Sequence, residues 1–151
     1  MNEPIEMRKE HLGQVAELET ICFSDPWSYD AFENELDNER SSYFVLENKM
    51  DESVEKAIIG YCGYWKIFDE AHIMNLAVAP AFRGKHLGDV LMQEMIGHAR
   101  KQDIKHMTLE VREGNKVAKK LYEKYGFKVL GMRRNYYQDN GENALVMWAE
   151  I

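Results

Sequence analysis

The stretch that most limits the fold of this chain runs from His72 to Lys101. His72 to Val78 reads as a strand that Pro80 stops. Leu87, Leu91, Met95 and Ala99 step by four residues, which predicts a helix from about Leu87 to Lys101. Between them lies Arg83-Gly84-Lys85-His86-Leu87-Gly88-Asp89, with two glycines and two cations. Such a strand–loop–helix junction makes an anion site. Glycine lets the backbone approach a ligand, and free N–H groups at the helix N-terminus point at it. Neither the phosphate-loop pattern G-x-x-x-x-G-K-[ST] nor the dinucleotide pattern G-x-G-x-x-G occurs here. A plain solvated glycine turn explains these residues equally well when they are taken alone.

The rest of the chain alternates short elements. Pro4–Lys9 reads as an edge strand. His11–Phe23 has helical spacing at Leu12, Val15, Ala16 and Leu18, with Glu19 outward, and the turn Ser24-Asp25-Pro26-Trp27 breaks it. Ser28 can cap a short helix carrying Ala31, Phe32 and Leu36. Ser42–Glu47 is β-rich, Asn48–Glu55 is a polar hairpin loop, and Lys56–Phe68, punctuated by Gly60 and Gly63, predicts a bent or bulged strand. His106–Arg112 is a further strand. Asn115 caps a helix to Tyr125 that Gly126 ends, and Phe127–Met132 and Asn143–Trp148 are two more strands. With no repeat and no long linker, residues 1–151 are expected to form one α+β domain with a mixed sheet.

Composition excludes several classes. The 151 residues carry 19 Lys+Arg against 26 Asp+Glu, a net charge of −7, which argues against a general polyanion binder such as a nucleic-acid protein. No apolar run approaches the ~20 residues of a membrane span, and Met1–Glu10 is charged throughout, so neither an anchor nor a signal peptide is expected. Cys22 and Cys62 read as two buried free thiols in a reducing cytoplasm. His11, His72, His86, His98 and His106 lack ligand spacing, so no metal site is expected. Trp27, Tyr136 and Tyr137 are either hydrophobic plugs or the rim of a peptide groove. Glu110 sits in an otherwise apolar strand, where it could pair with Arg112 or Lys105. Tyr122 lies on the helix after Asn115, where an aromatic ring is usually core.

Four segments in order carry a resemblance: Leu76-Ala77-Val78-Ala79-Pro80, then Arg83-Gly84 through Leu87-Gly88, then Leu109-Glu110-Val111-Arg112 with Asn115, then Leu121-Tyr122 with Gly126-Phe127. This order is similar to that of the GNAT acyltransferases. Asp25-Pro26-Trp27-Ser28, Arg133-Arg134-Asn135-Tyr136-Tyr137, Glu142-Asn143-Ala144 and Met147 narrow it: the chain resembles the bacterial ribosomal-protein-alanine N-acetyltransferases from about Ile5 to Met147.

The resemblance implies a GNAT fold, a mostly antiparallel mixed sheet of about six to seven strands flanked by about four helices. It implies acetyl-CoA as donor, held by backbone groups of a splayed strand at Leu76, Ala77 and Val78. The loop Arg83, Gly84, Lys85, His86, Leu87, Gly88 with Asp89 would take the pyrophosphate, and Asn115 the cofactor arm. It makes Glu110 the general base and Tyr122 the general acid near the thioester sulfur. The acceptor would be a ribosomal protein's N-terminal alanine, with Trp27, Tyr136 and Tyr137 on the substrate side. An α-ammonium with pKa ~8 must lose a proton before it attacks. A strand carboxylate whose pKa burial raises can take it, and a phenol can return one to the leaving thiolate. No metal, nucleic acid or membrane is involved, and a monomer is expected. One position departs from the family pattern: His86 stands where the loop's first glycine belongs, so a side chain there could narrow the pyrophosphate loop. A GNAT enzyme for a small amine or a protein lysine, and a non-catalytic acyl-CoA-binding module, are the alternatives.

Overall fold

Apolar alternation and capping residues account for most of the elements. The computed structural model describes residues 3–48 and 57–151; the polar loop expected over Asn48–Glu55 lies, beyond Asn48, outside them. In chain order the elements are β1 (Ile5–Glu6), α1 (Leu12–Cys22), α2 (Tyr29–Leu36), β2 (Ser41–Glu47), β3 (Ile58–Ile67), β4 (Glu70–Val78), α3 (Leu87–Lys101), β5 (His106–Arg112), α4 (Lys116–Lys124), β6 (Lys128–Arg133) and β7 (Ala144–Glu150). Ser28 starts α2 by accepting from the Ala31 N–H at 3.1 Å, and Asn115 starts α4 by accepting from the Ala118 N–H at 3.1 Å. Gly126, at φ 88°, ends α4 in the left-handed region that glycine occupies without strain.

The strands form one sheet in the order β1-β2-β3-β4-β5-β7-β6. Every neighbouring pair is antiparallel except β4–β5, which is parallel and is joined by the α3 crossover. On one face Leu91, Met92, Met95, Ile96 and Ala99 of α3 pack on Ile73, Met107, Leu109 and Met147. On the other, Leu12, Val15 and Leu18 of α1 and Phe32 of α2 pack on Tyr43, Val45, Tyr61 and Ala77. Each fully buried side chain of this kind contributes about 1.5–3 kcal/mol, so both layers are firmly held.

Three details depart from the sequence expectation. The irregularities near Gly60 and Gly63 are shared between strands: Leu46 pairs with Gly60 and Glu47 with Ile58, leaving Ile59 extra in β3. Gly63 pairs with Asn75 and Tyr64 with Ile73, leaving Met74 extra in β4. Gly63 is needed for a different reason, because a Cβ there would fall 2.3 Å from the Tyr43 ring. Glu19 is not outward but 3% exposed. Its carboxylate accepts from the Trp27 N–H at 2.8 Å, the Tyr61 hydroxyl at 2.5 Å and the Asn75 amide at 3.5 Å, which offsets the cost of burial. Both cysteines are free, but only Cys62 is fully buried; Cys22, in the last turn of α1, is half-buried.

Candidate active site

The Met74 bulge and the parting of β4 from β5 together build the site. The two strands pair only over Glu70–His72 and His106–Thr108. Beyond that Ile73–Val78 keeps its β3 partners while Leu109–Arg112 keeps its β7 partners, so the sheet opens into a wedge between them. The extra residue at Met74 also reverses the alternation of β4. Ala71 and Ile73 face α3 before it, and Leu76 and Val78 face α3 after it. His72 therefore lies on the opposite face from Leu76, beside Glu110. Leu76, Ala77 and Val78 border the wedge with their backbone, as a splayed strand requires.

At the end of β4 the chain turns through Pro80–Phe82 into the glycine loop. The N–H groups of Gly84 to Asp89, six in succession, donate to no described residue, and Val90 is the first to bond back, to the His86 carbonyl at 3.3 Å. Unbonded N–H groups at a helix N-terminus form a natural cradle for a polyanion such as a pyrophosphate. Gly84 sits at φ 78° and His86 at φ 62°, so the position where the family pattern has a glycine does adopt a glycine conformation. The His86 side chain points into solvent and approaches Asp89 at 3.5 Å, so it does not narrow the loop.

The loop's side chains divide by direction. Lys85 stands 5.1 Å from the Phe82 ring centroid. Arg83 folds back instead: its Nε donates to the Val78 carbonyl at 3.1 Å and its guanidinium touches Cys22 Sγ at 3.5 Å. The Val78 carbonyl is thus already engaged, and Arg83 holds the end of β4 against α1. Asp89 is held by Lys124 at 2.7 Å and the Tyr125 hydroxyl at 2.8 Å, contacts that keep its carboxyl below the usual range and tie α3 to α4. Asn115 uses its side-chain oxygen as the α4 cap.

Glu110 is half-buried on the wedge face of β5. It does not pair with Arg112 or Lys105. Its Oε2 lies 2.5 Å from His72 Nε2 and its Oε1 lies 3.7 Å from Arg133 Nε. The expectation that burial raises its pKa is overturned: the His72 hydrogen bond, helped by Arg133, holds the carboxyl below the ordinary carboxylate range. Tyr122 packs beside Phe127 in the α3-side core, and its hydroxyl has no hydrogen-bond partner among the described residues. Burial pushes its phenol well above 10, so it stays protonated across the physiological range.

Two loops meet on the Glu110 side of the sheet. Arg112 stacks 3.9 Å above the Tyr137 ring and bonds Asp139 and Glu142 at 2.8 and 3.3 Å, so it orders the loop between β6 and β7. Tyr137 interacts electrostatically with both Glu110 and Tyr122, and burial pushes its phenol up to about 12. Tyr136 stands edge-on to Tyr137 at 5.1 Å and is more exposed. Trp27 lies against Phe32 and Tyr43 at 5.3 and 6.5 Å, half-buried in the layer of α1 and α2. Ser24 donates to Asp139, linking the α1–α2 loop to the β6–β7 loop. His72, Glu19 and Asp139 carry no local sequence signal, because each acts through a partner distant in the chain. Among the described residues no group of three His, Cys, Asp or Glu could hold a metal ion. No helix among them is long and apolar enough to cross a membrane.

A seven-stranded sheet that parts between its parallel strands above a helix-capped anion loop defines an acyl-transferase architecture. The sequence model of the acetyltransferase (GNAT) family matches residues 12–127, and the chain belongs to that family. Among curated relatives, a Bacillus subtilis protein provisionally designated a ribosomal protein bS18-alanine N-acetyltransferase is 40% identical over 146 residues, covering 96% of this chain and 93% of its own. The Haemophilus influenzae ribosomal protein bS18-alanine N-acetyltransferase is 32% identical, covering 89% and 88%. The crystal structure of the Escherichia coli ribosomal-protein-S18-alanine N-acetyltransferase superposes with a TM-score of 0.88 at 29% identity, over 100% of this chain and 94% of that one.

Proposed function

We propose that this chain transfers the acetyl group of acetyl-CoA to the α-amine of an N-terminal alanine on a ribosomal protein, the bS18 protein named for its relatives. The carrying observation is the half-buried Glu110 carboxylate held by His72 where β4 and β5 part, with the protonated Tyr122 phenol on α4 as the proton donor. The donor's pyrophosphate fits the six free N–H groups from Gly84 to Asp89, with Lys85 adding charge. Its arm fits the parted edges of β4 and β5, where Leu76 and Ala77 offer backbone partners and the Asn115 amide lies at the α4 end.

In this reading Glu110 takes a proton from the acceptor ammonium, directly or through one water. The freed amine nitrogen attacks the thioester carbonyl carbon and gives up its second proton to water, the C–S bond breaks as the amide forms, and Tyr122 gives its hydroxyl proton to the leaving thiolate and takes one back from water. Backbone N–H groups of the splayed strand stabilise the oxyanion. The steps as written call on no metal, and a ribosomal-protein acceptor would be met in the cytoplasm. Tyr136, Tyr137 and Trp27 flank the acceptor.

One contact favours a second reading. The Ser24–Asp139 bond bridges the two loops between which an acceptor enters, and a closed roof would suit a small amine better than a peptide. Thiol release from acetyl-CoA, followed by mass spectrometry of the product, separates them. An alanine-starting bS18 peptide should be acetylated on its α-amine and spared on its lysines. Faster turnover of a polyamine or free amino acid would favour the second reading. Acetyl-CoA binding without turnover on any amine would leave only an acyl-CoA-binding module.

A further inference from the structure

His72 is one of five histidines without ligand spacing, yet it makes the shortest polar contact of the Glu110 carboxylate. The two residues are 38 positions apart and meet only because β4 and β5 pair in parallel over three residues. The Met74 bulge is what puts His72 on the Glu110 face while Leu76 and Val78 turn toward α3. An ionised carboxylate can only accept, so the shared proton lies on Nε2 and occupies one lone pair of Oε2. Oε1 makes the 3.7 Å contact to Arg133 and, with two lone pairs, retains capacity to accept a further proton.

The surroundings leave His72 no competing partner of comparable strength. On its own strand the same face carries Glu70. On β5 it carries His106 and the uncharged Thr108 and, from β3, the neighbouring residue is Trp65, whose indole N–H is taken by Glu35 at 2.8 Å. Arg133 of β6 and Tyr137 reach Glu110 rather than His72.

We propose that His72 is the positioning residue of the general base: its Nε2–H locks Glu110 Oε2, fixes the carboxylate rotamer against β4, and presents Oε1 to the acceptor amine or to its bridging water. This rests on the reading of Glu110 as base. A base whose carboxylate can swing between rotamers misplaces its accepting oxygen by an ångström or more. An error of that size costs on the order of 10- to 100-fold in rate.

The test measures kcat and KM for acetyl-CoA and an alanine-starting peptide in His72→Ala, His72→Gln and Glu110→Gln. A second readout follows the Glu110 side-chain carboxyl carbon by NMR as pH falls, in the free protein. His72→Ala should lose about 10- to 100-fold in kcat with acetyl-CoA KM held within about twofold, because the cofactor loop is untouched. His72→Gln, which keeps an N–H donor, should recover most of the loss. The Glu110 titration should move up in His72→Ala. Full kcat in His72→Ala alongside an inactive Glu110→Gln overturns the positioning role and leaves the base reading standing. Full activity in Glu110→Gln overturns the base reading itself. Equal loss in the Ala and Gln variants, or an unmoved Glu110 titration, also overturns the positioning role.

Discussion

Replacing His86 by glycine should stabilise the protein relative to replacing it by alanine, and the difference isolates a backbone term. His86 sits at φ 62° and ψ 23° at the N-cap of α3. A side chain in the left-handed region costs roughly 1–2 kcal/mol relative to the right-handed one. Alanine keeps that cost and removes only the imidazole, which is exposed and meets Asp89 at 3.5 Å across solvent. Glycine removes the cost but adds about 0.5–1 kcal/mol of unfolded-state entropy. The net advantage of glycine over alanine is then between zero and about 1.5 kcal/mol, up to about 6 °C in Tm for a domain of this size. Thermal melts of the two variants in one buffer read it directly. Because the imidazole points out of the loop, acetyl-CoA affinity measured by calorimetry should stay within about threefold of the parent, a change below about 0.7 kcal/mol. A glycine variant clearly less stable than the alanine variant would refute the left-handed conformation at His86. A large gain in affinity in both would refute the outward side chain.

Other outcomes follow from the same geometry. Glu19→Ala strands the Trp27 N–H, the Tyr61 hydroxyl and the Asn75 amide, and should cost about 3 kcal/mol or more in urea unfolding at neutral pH. Gly63→Ala drives a methyl into the Tyr43 ring and should cost about 1–3 kcal/mol in the same assay. Tyr122→Phe should keep the melting temperature within a few degrees while kcat falls about 100-fold, the low end of what a general acid contributes. Glu110 has a folded pKa below its unfolded value, so it stabilises the native state above the ordinary carboxylate range and that stability is lost as pH falls through the lowered pKa. Denaturant titrations of the wild type and Glu110→Gln should therefore converge as pH drops below about 4.

How far the chain could be read in advance depended on how local each feature was. The bounds of α3 at Leu87–Lys101 and of β5 at His106–Arg112 match the expectation, because a four-residue step and an apolar alternation lie within the segments themselves. The turn from β4 into α3 is legible from Gly84, Gly88 and the helix that follows. Helical periodicity puts Glu19 outward because it treats an acid as a solvated residue. Its partners Tyr61 and Asn75 lie 42 and 56 positions away, and only the sheet brings them to α1. His72 was missed for the same reason. Arg83 read as a cofactor cation, yet the chain reversal at Pro80–Phe82 turns it back onto Val78. The Glu110 shift had the wrong sign because burial was visible in the apolar strand and the imidazole beside it was not.

The central claim is that Glu110 removes the proton from an N-terminal amine. Initial rates of thiol release with acetyl-CoA and an alanine-starting bS18 peptide, measured for the wild type and Glu110→Gln across pH, test it most directly. The account predicts a fall in kcat of at least about 100-fold at neutral pH, with the acetyl group found on the α-amine. A Glu110→Gln enzyme that keeps the full rate at every pH would contradict it.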